Sequence, residues 1–87
     1  MTEKRSRLEI YLDVLEVISR GCHKPTRVMY SSNLSWKPLK EIFQSLLEQG
    51  LIEVKEEGNT RKRYYITPKG LRVLGYFKKL TEELIIK

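Results

Sequence analysis

Lys37, Lys40 and Gln44 stand three and four residues apart, and on a helix that spacing puts them on one stripe of surface. Lysine donates to the acceptors of guanine and glutamine pairs bidentately with adenine, so such a stripe suits the major groove of duplex DNA. A second group, Arg61, Lys62 and Arg63, is the densest cationic run in the chain. Cations so placed can lie along a phosphate backbone or enter a minor groove. Near the first group, Arg27, Tyr30, Ser32 and Trp36 offer a guanidinium, hydroxyls and an indole that can hold phosphate or pack on a sugar. Each group also has a plainer explanation. Exposed lysine and glutamine serve solubility, hydroxyls at helix ends serve as caps, Trp36 can staple two helices, and charges on a hairpin end protect its edges.

The distribution of charge favours the nucleic-acid reading. Seventeen Lys and Arg against eleven Asp and Glu give a net charge of +6 in 87 residues. The charged residues between Glu16 and Glu41 are all basic (Arg20, Lys24, Arg27, Lys37, Lys40), and so are those between Glu57 and Glu82, from Arg61 to Lys79. Two acid-free segments thus surround the two candidate groups, as expected of a surface that neutralises phosphates. Glu56 and Glu57 adjoin the second run and are expected to compete for it through internal salt bridges.

Other chemistries find little support. No nucleophile, base and orienting group, no paired catalytic carboxylates and no phosphate-binding glycine loop can be assembled, so an enzyme is not expected. Cys22 is the single cysteine; it excludes an intrachain disulfide, and no Cys/His cluster has metal-ligand spacing. No cofactor or small-molecule ligand is evident. The opening MTEKRSRLEI lacks the apolar stretch of a leader, and no run approaches the ~18 apolar residues of a membrane span, so a cytoplasmic protein without membrane contact is expected.

The elements that would position these groups follow from periodicity. Ser6 and Glu9 have capping-box spacing ahead of Leu8, Tyr11, Leu12, Leu15 and Ile18, which predicts a helix over 7–20 stopped by Gly21. Pro25, Val28 and Met29 predict a short helix over 26–32, followed by the turn cluster Ser31-Ser32-Asn33. Ser35 is expected to cap a third helix over 36–49, whose apolar stripe Leu39, Ile42, Phe43, Leu46 and Leu47 must face inward. Alternating Ile52 and Val54, then Tyr64 and Ile66, predict strands over 51–55 and 63–67 joined by a loop of residues 56–62. Tyr64 should join the core and Tyr65 stay near solvent. Thr67-Pro68 opens a last helix, from which Leu71, Leu74 and Phe77 can pack on the domain. Val73, Phe77, Leu80 and Leu84 are spaced four, three and four, the rhythm of a helix-helix seam.

With those elements placed, the chain resembles the small archaeal winged-helix DNA-binding proteins of the "ten-a" type, among the archaeal winged helix-turn-helix regulators. The resemblance covers most of the chain and rests on SRLEIYLDVLEVI, KPTRVMYSSNLSWKPLKEIFQSLLEQGLIE and YYITPKGLRVL. It implies a homodimer joined by an antiparallel coiled coil of the last helices, with a DNA face on Lys37, Lys40, Gln44 and Arg61 to Arg63. The last helix to Lys87 would run about 20 residues, ~30 Å, shorter than the coil of that family. The expected fold is mainly α with a small β-hairpin (α+β), a winged helix-turn-helix over 1–67 and a dimerisation helix over 68–87, within one domain. The expected function is duplex DNA binding by a homodimeric transcriptional regulator, with double-stranded DNA and a second copy as partners. Its rivals are a chromatin-architectural protein and a protein-interaction module.

Overall fold

The computed structural model describes residues 6–58 and 61–83. The Ser6 hydroxyl accepts from the Glu9 N–H at 3.1 Å and the Glu9 carboxylate accepts from the Ser6 N–H at 3.2 Å. This reciprocal cap satisfies two amides that a helix start leaves unpaired, and α1 (Arg7–Ser19) follows it. Then come α2 (Pro25–Ser31), α3 (Trp36–Glu48), β1 (Ile52–Glu57), β2 (Arg61–Ile66) and α4 (Pro68–Glu83). Pro25 takes the first turn of α2, where its missing N–H costs no intrahelical bond. Ser35 occupies the position before α3 in extended conformation, but its hydroxyl makes no cap bond, contrary to expectation.

One device ends the first three helices. After α1, Gly21 has φ +103° and the amides of Gly21 and Cys22 return to Ile18 and Val17. After α2, Asn33 has φ +55°, with the amides of Asn33 and Leu34 on Tyr30 and Met29. After α3, Gly50 and Leu51 bond back to Leu47 and Leu46. Each is the paired-bond stop in which a left-handed residue reverses the chain and the next residue packs on the helix it leaves. Asn33 fills that role in the turn between α2 and α3 because a short polar side chain tolerates the left-handed region better than other residues with a Cβ.

The core is one cluster. It joins Val14, Leu15 and Ile18 of α1, Val28 of α2, Leu39, Ile42, Phe43 and Leu46 of α3, Ile52 and Tyr64 of the hairpin and Leu74 of α4. The α3 contribution repeats at three and four residues, so one face is buried and the opposite face is left for function. The two strands pair antiparallel, Ile52 opposite Ile66 through Glu57 opposite Arg61.

Two expectations need correction. The segment 56–62 is mostly strand: Glu56 lies opposite Lys62 and Glu57 opposite Arg61, and unlike charges directly across a pair of strands support the ladder. Leu71 of α4 faces outward and Val73 packs partly on the core. Gly70 sets that rotation, for its Cα approaches the Leu51 carbonyl so closely that a Cβ would overlap it. The Thr67 hydroxyl accepts from the Gly70 N–H at 3.0 Å and donates to the Gly50 carbonyl at 2.7 Å, while Lys69 Nζ donates to the Gln49 carbonyl at 2.8 Å. The first turn of α4 thus ties off the end of α3. The class is the expected α+β arrangement of four helices and one hairpin. Among the described residues no helix is long and apolar enough to cross a membrane.

Candidate nucleic-acid interface

With one face of α3 buried, Trp36, Lys37, Lys40, Glu41, Gln44 and Glu48 are left exposed. The cations occupy the N-terminal turns. Glu41 and Glu48 border a shallow groove shared with Arg7, Tyr11 and Ser45, so the acids lie on the flank toward α1. Lys40 and Gln44 border that groove and also the larger cleft on the other flank.

The hairpin is fixed to the body through β2. The Tyr64 N–H donates to the His23 carbonyl at 2.9 Å, and His23 Nδ1 lies 2.9 Å from the Tyr64 carbonyl. A carbonyl only accepts, so Nδ1 carries the proton. Tyr64 stacks on Phe43 of α3 with ring centroids 4.0 Å apart, and burial pushes its phenol above the ordinary value. Tyr65, on the opposite face, stacks on His23 at 4.2 Å and carries Lys55 Nζ 5.0 Å above its ring. The division of Tyr64 inward and Tyr65 outward agrees with the sequence reading; the pairing of His23 with β2 was not foreseen there. Nothing local in Cys22-His23-Lys24, between Gly21 and Pro25, signals it.

Between the hairpin, the start of α2 and α3 lies a cleft of about 600 Å³. It is lined by five cations, Lys24, Lys40, Arg61, Lys62 and Arg63, together with Gln44 and Trp36. The structure thus brings Lys40 and Gln44 of the helix group onto one concave surface with the hairpin group. Arg63 Nε is 3.4 Å from the Glu57 carboxylate, which is the internal competition expected from Glu56 and Glu57. Among the described residues Lys24, Lys40, Arg61 and Lys62 make no ion pair within 4.0 Å.

Other candidates fall elsewhere. Lys37, Arg27 and Tyr30 are exposed but do not line the cleft. Ser32 is 2% exposed, which removes it as a phosphate contact: it follows the last turn of α2, where the chain doubles back and turns the side chain inward. Trp36 is not a core staple; it is 48% exposed on the cleft wall. Lys24, at the cleft edge, was absent from the sequence candidates although it lies in the first acid-free segment.

On α4, Val73 and Phe77 are half-buried and Leu80 is 57% exposed, while Leu84 lies outside the described residues. Tyr76, which the four-three-four spacing does not include, is 71% exposed beside them. Lys78 Nζ reaches the Glu16 carboxylate at 3.3 Å and holds α4 against α1.

An uncharacterized protein of Methanocaldococcus jannaschii is 33% identical over 54 residues, which cover 62% of this chain; the chain spans 56% of that relative's length. Among solved structures, Sso10a-2, a DNA-binding protein from Sulfolobus solfataricus, is 29% identical and superposes with a TM-score of 0.70, covering 91% of this chain and 84% of the other. The homodimeric winged helix-turn-helix DNA-binding domain of a Mycobacterium bovis protein gives 0.73 at 21% identity, covering 85% and 68%. The sequence description of the winged helix-turn-helix family matches residues 4–84. With that match over nearly the whole chain, and with the hairpin standing beside α3 as the wing, the chain belongs to the winged helix-turn-helix family.

Proposed function

We propose that this protein binds duplex DNA as a homodimeric transcriptional regulator, with α3 in the major groove and the hairpin on the flanking phosphates or in the minor groove. The observation that carries the reading is the shared cleft, where Lys24 and Lys40 meet Arg61, Lys62 and Arg63 across one concave surface. Lys37, Lys40 and Gln44 read base edges, with Trp36 against a sugar or a thymine methyl. Arg61 and Lys62, with Arg63 once released from Glu57, neutralise phosphates, and Arg27 and Tyr30 extend the contact along the backbone. Support also comes from the 29% identity with the Sulfolobus DNA-binding protein, which favours the archaeal "ten-a" type within the family.

Homodimerisation is assigned to α4 through Leu80 and Tyr76, with Val73 and Phe77 on the flank and Leu84 continuing the spacing. An exposed leucine and tyrosine beside half-buried neighbours offer apolar area that a second copy would cover. Light scattering should give twice the chain mass at tens of micromolar, and Leu80→Glu should give a monomer; a monomeric wild type contradicts the dimer.

DNA binding is tested by duplex affinity across salt. Each neutralised phosphate contributes about −0.9 to the logarithmic slope, so the four cations assigned to phosphates, Arg27, Arg61, Lys62 and Arg63, predict roughly −3.6 per protomer. A slope near zero contradicts the reading. Protection of discrete sites on genomic fragments supports a regulator, whereas even coverage supports an architectural role.

A further inference from the structure

The cleft gathers Lys24, on the connection between α1 and α2, with Arg61, Lys62 and Arg63 on the wing. Among the described residues these four cations have one ion pair, Arg63 with Glu57 at 3.4 Å. Like charges so gathered repel, so the base of the wing must be held against the connection that carries Lys24. The residue before Lys24 holds it. The Tyr64 N–H donates to the His23 carbonyl and His23 Nδ1 donates to the Tyr64 carbonyl, each at 2.9 Å. Tyr64 thus turns both main-chain polar groups away from β1, and His23 satisfies both. The half-buried imidazole also stacks on the Tyr65 ring, centroids 4.2 Å apart and planes at 30°. Among the described residues, the Tyr64–His23 bond is the one backbone hydrogen bond from either strand to the helical body. The imidazole therefore supplies two of the three contacts at this joint.

We propose that the His23 side chain is the positioning residue of the wing: by gripping Tyr64 and Tyr65 it sets the base of the wing beside Lys24 and α3, so that the wing cations meet the same duplex as α3. That role rests on the DNA-binding reading; the latch itself does not. His23 acts through the two tyrosines and touches no phosphate. Holding the wing in place beforehand spares the binding step the ordering of a loose hairpin against its own charge repulsion. A side chain without a donor at this place leaves the Tyr64 carbonyl unsatisfied at a half-buried joint, and the repelling cations then push the wing from Lys24. Beyond Arg63 the tip stays adaptable, because the latch acts at Tyr64 and Tyr65 alone.

The test compares His23→Phe, which keeps a ring for Tyr65 and removes the donor, with His23→Asn, whose amide N–H stands as many bonds from the backbone as Nδ1 does. Duplex affinity across salt and backbone NMR relaxation are measured on each. His23→Phe should weaken every duplex about tenfold and reduce the salt slope by about 1.8, the share of two wing phosphates, with the ranking of duplexes kept. Its amide order parameters at Tyr64 and Tyr65 should fall toward about 0.6 while those of α3 stay near about 0.85. His23→Asn should restore the slope and most of the affinity. A purely structural role would lower Tm in His23→Phe and leave the affinity and slope of the folded protein untouched; that result overturns the proposal, as does His23→Asn behaving like His23→Phe. Should His23→Phe fail to fold, the wild type decides. A long-range proton–nitrogen correlation of its neutral imidazole must place the proton on Nδ1, protected from exchange, and a proton on Nε2 overturns the latch. A wild type that binds no duplex at low salt overturns the DNA reading and the role of the latch in it, while lowered order parameters in His23→Phe still uphold the latch. Unchanged order parameters at Tyr64 and Tyr65 remove the latch whatever the duplex result.

Discussion

On α3 the exposed cations Lys37 and Lys40 ride a helix anchored by Leu39, Ile42, Phe43 and Leu46, whereas on the wing Arg61 and Lys62 lie beyond Tyr64, the last buried residue of β2. The first pair is held by tertiary packing and the second by a two-stranded ladder that faces solvent toward its end. They differ in compensation too. The acids of α3 are turned toward α1, while those of the wing stand across the ladder from its cations. A rigid helix can present side chains to particular base edges, which requires fixed geometry. A ladder of opposed charges can trade its own ion pairs for phosphates, which requires adaptability more than register. The contrast suggests a division of labour, reader on α3 and clamp on the wing.

The largest way to break this contrast is to truncate the packing on each side. Leu39→Ala, at a fully buried site, should cost about 2–5 kcal/mol and lower Tm by roughly 10 °C or more. Val54→Ala on the wing should cost less, about 1 kcal/mol, since Val54 is 38% exposed and keeps over a third of its area in water. Equal losses in a thermal melt would remove the idea of a rigid reader and a soft clamp.

Next in size is removal of both unpaired wing cations. Arg61→Ala with Lys62→Ala should lower affinity for every duplex by a similar factor and reduce the salt slope by about 1.8, as read by anisotropy at several salt concentrations. A sequence-dependent loss would make the wing a reader. Gln44→Ala should instead rearrange the ranking of duplexes by about 1 kcal/mol at one base pair and leave the slope unchanged; a uniform loss would deny α3 its role. The smallest effect belongs to Glu57→Gln. It frees Arg63 and should tighten duplex binding severalfold at low salt, with stability altered by no more than about 0.5 kcal/mol. Weaker binding would show that Glu57 orients Arg63 for DNA rather than competing for it.

Much of the fold was legible because its determinants are local. Ser6 with Glu9, Gly21, Gly50 and Thr67-Pro68 mark element ends through bonds spanning six residues or fewer, and the stripe of α3 names its own buried face. What escaped depends on partners distant in sequence. The His23–Tyr64 link spans 41 residues, and the inward turn of Ser32 follows from the reversal at Asn33. Outward Leu71 and inward Val73 follow from the approach of Gly70 to Leu51. The wing was expected to be loop-rich because Gly58 and the charged residues around it read as a turn; that its acids face its cations across the tip was expected, and what escaped is that strand pairing carries them. Both cationic groups of the site were legible from composition, but the meeting of Lys40 and Gln44 with the wing cations in one cleft depends on how the wing docks on α3.

The most direct test of the central claim, that α3 and the wing act as one DNA-facing surface, is an NMR titration of the isotope-labelled protein with a short duplex at moderate salt. Concerted shifts are predicted at Lys37, Lys40 and Gln44 and at Arg61 to Arg63, saturating with one Kd, with α4 amides little changed. Shifts confined to α4 or to one of the two elements, or no shifts at all, would contradict it.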